Sequence, residues 1–189
     1  MKLNTAKQPT GFTLIELIIG IMLIATAMLL FTGVLQNSSR FAADPWHQVR
    51  ASELGSALMN EILAKSFDEN SNRSGGYIRC SSNDTAAPDC SLPNTLKADA
   101  AENNRSEFDD IDDYNGLDAS GDNIVNLNIA KNAELSQAYQ KFRVKVVVFY
   151  DANFDGIADS NISQFKLIQI NITDPLGNQT QFASYKGNY

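Results

Sequence analysis

The residues in this chain best suited to chemistry are carboxylates. The stretch DANFDGIADSNI (151–162) places Asp151, Asn153, Asp155, Gly156 and Asp159 at positions 1, 3, 5, 6 and 9 of an EF-hand-type calcium loop. Alternating side-chain oxygens there can converge on one hard cation, the glycine permits the tight turn, and the Ile157 carbonyl can contribute. Position 12, which should supply a bidentate carboxylate, is Ile162, and the flanks read as strands rather than helices. The competing reading is an Asn/Asp/Gly-rich hairpin loop that only turns the chain. A second concentration, residues 107–122, holds Glu107, Asp109, Asp110, Asp112, Asp113, Asp118 and Asp122 with no base among them. Such a field is costly unless it is solvated or offset by a cation. It reads as a solvated loop, with a Ca2+ site or a contact for a basic partner as the sharper alternatives.

Other chemistry has little to build on. His47 is the sole histidine, and beside Trp46 at a helix start it reads as structural or exposed rather than catalytic. Cys80 and Cys90 sit in a polar stretch of Ser, Asn, Asp and Pro. In an exported domain this spacing reads as one disulfide closing a short loop, with two free thiols as the alternative and a zinc site disfavoured. The chain has no G-x-S-x-G, H-E-x-x-H or P-loop, so an enzyme is not expected, an Asp-based hydrolase being a remote alternative. Fifteen basic residues against 22 acidic ones, a net charge of −7, and no Lys/Arg cluster argue against nucleic-acid binding.

These residues must be positioned by a chain of 189 residues, enough for one membrane segment and one modest domain. The expected class is α+β: a long N-terminal helix, with a membrane half and an amphipathic half, packed on an antiparallel sheet. Asp44-Pro45 reads as a helix break or restart, Asp44 capping and Pro45 in the first turn. From Trp46 to about Phe67, apolar residues at 46, 49, 54, 57, 58, 62 and 63 follow a near-helical period. Residues 68–123 are loop-rich around the cysteines. Strand signals begin near Ile124–Ile129 and are strongest at 141–150, where Phe142, Val144, Val146, Val148 and Tyr150 share a face. A strand at 164–173 with Ile168, Ile170 and Ile172 on one face, a turn at 174–178 and a strand at 179–185 complete a meander.

The N-terminal segment is the most specific part of the chain. Phe12 to Leu35 is a run of 24 residues whose sole ionisable member is Glu16. As a helix it spans roughly 36 Å, enough for a ~30 Å hydrocarbon core. Lys2 and Lys7 precede it and no base follows until Arg40, so the amino terminus is expected in the cytoplasm and the remainder outside the membrane. A carboxylate within such a run costs a few kcal/mol or more unless it pairs, protonates or faces protein. An ordinary signal peptide has its cleavage site after the apolar region. Here the short basic segment, residues 1–11, comes before it.

That order, with Gly11-Phe12-Thr13-Leu14-Ile15-Glu16, resembles the processing site of type IV prepilins and pseudopilins. The resemblance implies cleavage between Gly11 and Phe12 by a prepilin peptidase and N-methylation of Phe12. It also implies a segment plan of leader 1–11, assembly helix 12–35, amphipathic continuation 36–67, disulfide-bearing segment 68–123 and sheet 124–189. Glu16, the fifth mature residue, would lie about one helical turn from the new amine, pairing with it in the same subunit or in an axially offset neighbour. Many major pilins carry proline at mature position 22, where this chain has Gly33, a weaker helix breaker by about 2 kcal/mol.

The blocks NEILAKSFDE (60–69), EFDDIDDYNGL (107–117) and SYKGNY (184–189) resemble minor pilins of mannose-sensitive haemagglutinin (MSHA) pili. The implied partners are the prepilin peptidase, major and minor pilins and an inner-membrane assembly platform. The implied location is the inner membrane with a periplasmic head, then the pilus at the cell surface. No cofactor is required, Ca2+ at the acidic loops being the candidate. A type II secretion pseudopilin is the alternative, and a membrane-anchored calcium-dependent adhesin a remote one.

Overall fold

The computed structural model describes residues 11, 13–71, 79–81, 86–124 and 137–189, apart from the side chains of residues 34–44 and Asp122. The leader up to residue 10, Phe12 and the strand signal at 125–129 lie outside the described residues. The chain divides into two units, Met1–Pro45 and Trp46–Tyr189.

Helix α1 runs Leu14–Leu63 with Pro45 inside it, so the expected break at Asp44-Pro45 is a correction. A proline within a helix removes one N–H donor and crowds one turn, but the neighbouring turns keep their own bonds. In the first unit Leu14–Gly33 is predominantly apolar, with Glu16 its one charged residue, and is long enough to cross a membrane. Thr26 and Thr32 direct their hydroxyls back to the carbonyls of Met22 and Met28, at 3.0 Å each, so neither polar group is left unsatisfied in that run.

In the second unit Ala51, Gly55, Leu58, Met59 and Ile62 form the buried stripe of α1, and Leu54 and Leu63 flank it. Trp46, Val49 and Ala57, expected on that face, are exposed. Small residues define the stripe as much as large ones, which is why a count of large apolar positions rotates it wrongly. A Cβ built on Gly55 would lie 2.1 Å from the Phe182 ring, so the helix approaches Phe182 this closely only because residue 55 has no side chain.

Four antiparallel strands follow in the order β1-β2-β3-β4: β1 Asp118–Ser120, β2 Arg143–Tyr150, β3 Phe165–Thr173 and β4 Gln179–Gly187. The last three are the expected meander, and β1 is an addition whose three residues carry too short a pattern to read. Val144, Val146 and Val148 sit opposite Ile172, Ile170 and Ile168. All six are buried, the β-branched cross-strand pairing that a half-buried sheet favours. The β3–β4 turn is tied by Asp174, whose Oδ1 accepts from the N–H groups of Leu176 and Asn178, both at 2.8 Å. Cys80 and Cys90 are joined in a disulfide and both are buried. A 3-10 helix at Asp112–Tyr114 and a parallel bridge between Ser66 and Asp110 bring the loop-rich segment onto the core.

Candidate functional site

Glu16 stands in the first turn of α1. Its N–H donates to the Thr13 hydroxyl at 3.4 Å, an N-cap contact three residues apart. A negative charge at this end of a helix is favoured by the unsatisfied N–H groups and the helix dipole. The side chain is exposed, as is Gly11, the residue before the expected cut. Thr13 therefore has a local role that the membrane argument missed: it starts the helix where the carboxylate sits.

The acidic block divides. Asp110, Asp112 and Asp113 are buried, against the expectation of a solvated loop. Their own backbone supplies donors: Asp110 Oδ1 accepts from the N–H groups of Asp112 and Asp113, and Asp113 Oδ2 from those of Asp109 and Asp110. Asp118 stays at the surface, where Arg143 clamps it through two contacts of 2.6 and 2.7 Å and holds its carboxyl below the usual range. Glu107 is exposed and accepts from the Asn104 N–H at 2.9 Å. The bases that the block lacks come from strands β2 and β3. On the surface side, carboxylate oxygens of Glu102, Asp109 and Asp113 lie within 4.8 Å of one another. Burial, then the carboxyl of Asp113, raises Glu102 to about 7, and Asp109 above all raises Glu69.

The deepest polar group is a triad. Lys166, fully buried, donates from Nζ to Asp112 Oδ2 at 2.6 Å, Asp68 Oδ2 at 3.0 Å and the Phe67 carbonyl at 3.0 Å. The rings of Phe67 and Tyr150 lie 4.3 and 4.8 Å from the ammonium nitrogen. Asp68 also accepts from the N–H groups of Asn70 and Ser91. Burial pushes the Asp112 carboxyl up to about 8, with Lys166 opposing, and Asp112 Oδ1 has no hydrogen-bond partner. Burial, followed by the charge of Asp113, raises Asp110 to about 7. Sequence reasoning passed over Lys166, yet a signal was present: it is in phase with Ile168, Ile170 and Ile172, so strand alternation alone puts this lysine on the core face.

The 151–162 loop closes on itself. Asp151 accepts from the N–H of Asp155 at 3.1 Å, the N–H of Gly156 at 2.9 Å and the Tyr185 hydroxyl at 2.7 Å. Burial opposes ionisation here, but these donors, the Tyr185 hydroxyl foremost, hold the carboxyl below its usual range. Asp155 caps the Ile157 N–H and takes the Asn153 amide, and Asp159 accepts from the Ala152 N–H at 2.7 Å. The five expected ligand residues thus share one loop, in which the carboxylates of Asp151, Asp155 and Asp159 already accept from the loop's own donors. Within it Phe154, at φ 61°, meets the Phe165 ring at a tilt and the Tyr185 ring edge-on, with centroids 4.9 and 4.8 Å away.

His47 packs edge-on against Phe142 at 5.9 Å, and no nucleophile or carboxylate is placed beside it among its described contacts. Glu61 of α1 receives Arg105 through two contacts and the Tyr114 hydroxyl at 2.8 Å, which locks the loop-rich segment to the helix. Comparison with protein-family models, curated proteins and solved structures gave no match to this chain.

Proposed function

We propose that the chain is a minor pilin of the type IV class, of the MSHA kind and resembling the minor pilin MshD, which inserts by α1 and helps initiate, cap or decorate a filament. The observation that carries this reading is the order of parts at the amino terminus. A short basic segment ends at Gly11, a carboxylate follows in the first turn of the helix, and an apolar run of membrane length comes after. In this reading a prepilin peptidase cuts after Gly11 and Phe12 becomes a methylated amine. Glu16 then neutralises that amine in its own subunit or in an offset neighbour, since an unpaired carboxylate among lipid chains costs several kcal/mol. Cutting, methylation and the energy for assembly belong to the peptidase and the inner-membrane platform, so this chain performs no catalysis. The head is periplasmic and then displayed at the cell surface, where a buried disulfide suits an oxidising compartment. The 151–162 loop acts as a self-tied turn, and the reading requires no cation.

The test is deletion of the chain with counts of surface pili, complemented by wild type and by Glu16→Ala. Deletion should lower the pilus count, wild type should restore it, and Glu16→Ala should restore less than a tenth of the difference. Full restoration by Glu16→Ala would end the docking role. Unchanged pili in the deletion, with loss of a secreted enzyme instead, would favour the pseudopilin alternative.

A further inference from the structure

Lys166 and its two carboxylates form an unusual centre for a protein interior. Two buried aspartates, Asp68 wholly and Asp112 nearly without solvent contact, lie 3.0 and 2.6 Å from the buried Lys166 nitrogen, walled by Phe67 and Tyr150. An ammonium and a carboxylate in water resist condensation because both ions are well hydrated and water drives the reverse reaction. Here both obstacles are reduced: the groups have lost nearly all their hydration, and the site is almost closed to solvent. Fixing amine and acid in contact supplies an effective concentration that free partners never reach. Asp68, held by two backbone N–H groups, is positioned to handle protons, whereas Asp112 keeps one oxygen without any donor. That free oxygen marks Asp112, rather than Asp68, as the carboxyl able to lose a hydroxyl.

We propose that Lys166 and Asp112 condense to an intramolecular side-chain amide, with Asp68 as the proton-transfer group. The Lys166 ammonium gives a proton to the Asp68 carboxylate, and the freed nitrogen lone pair attacks Cγ of the protonated Asp112 carboxyl. Asp68 returns that proton to one hydroxyl of the tetrahedral intermediate, the C–O bond breaks and water leaves. The nitrogen then passes its extra proton to Asp68. One C–N bond forms, one C–O bond breaks, nothing is oxidised or reduced, and a cation, an anion and a neutral acid become an amide, a neutral acid and water. The protonated state of Asp112 at neutral pH agrees with the upward shift that burial imposes on it. The bond ties β3 to the 3-10 helix at Asp112–Tyr114, which the disulfide does not reach. It does not depend on the pilin reading.

The test is intact-mass and peptide analysis of the full chain purified after reduction of its disulfide. Wild type should weigh one water less than the Lys166→Arg and Asp112→Ala variants predict after correction for the substitution, and digestion should yield a branched peptide joining Lys166 to Asp112. Asp68→Asn should leave most chains uncondensed. A wild-type chain at the full sum of its residue masses would overturn the proposal. A branch mapped to Asp68 would overturn the assigned roles. Because the decisive measurement is on wild type, misfolding of a variant cannot mask the result.

Discussion

At the scale of single residues, this protein turns on where its carboxyls go. In sequence, Asp110, Asp112 and Asp113 look like three more charges in a solvated run. In the fold all three are buried: Asp110 and Asp113 cap nearby backbone N–H groups, and Asp112 meets Lys166. The consequence is a pH dependence of known sign. Asp110 and Glu102 are raised to about 7 in the folded chain, against ordinary values of 3.8 and 4.5. Between those limits the folded state holds protons that the unfolded state has released. Stability is therefore greatest below the unfolded values, falls as pH rises through the window, and levels off above about 7. Urea midpoints at pH 5 and pH 8 should show the lower stability at pH 8, by on the order of 1 kcal/mol after discounting for partial exposure. A midpoint that rises from pH 5 to pH 8 would contradict the assignment. The run of acids was legible as residues, but its burial was not, because Lys166 lies 54 residues away from Asp112. Local composition cannot report a partner supplied by a distant strand.

At the scale of elements, strands were more legible than the helix face. Alternation in β2 and β3 identifies Phe142, Val144, Val146, Val148, Ile168, Ile170 and Ile172, and all are buried, since period 2 leaves no choice once one face is apolar. The helix is less constrained: with 3.6 residues per turn, small residues can hold the centre of the stripe. Gly55 does so, and its replacement tests the packing. Gly55→Ala should destabilise the protein by about 1–2 kcal/mol, the displacement of the Phe182 ring outweighing the gain in helix propensity. In a Phe182→Ala background the same change should be neutral or stabilising, and equal costs in both backgrounds would refute the contact. The calcium-like spacing at 151–162 was also legible, but spacing does not tell whether oxygens face an ion or their own N–H groups. Tyr185, on β4, supplies a donor that no local motif contains.

At the scale of the whole molecule, the two units differ in what covers their apolar side chains. Leu14–Gly33 exposes Leu14, Ile15, Met22, Leu29 and Phe31, side chains with no protein to cover them in their own unit, as expected of a surface that meets lipid or other helices. The unit from Trp46 to Tyr189 carries its own core, disulfide and sheet. A fragment of residues 46–189 should be soluble without detergent, unfold cooperatively in urea and contain no free thiol, whereas the full chain should partition with membranes. Aggregation of the fragment, with no cooperative transition, would show that the core needs the apolar segment. The sequence by itself determined the apolar span, the order of parts around Gly11 and Glu16 and the meander, because each is written in contiguous residues or a short period. Tertiary structure alone decided which acids are buried, which helix face packs and which carboxyls meet Lys166. Those outcomes depend on groups far apart in the chain being brought within 3 Å, where desolvation and pairing set the energy.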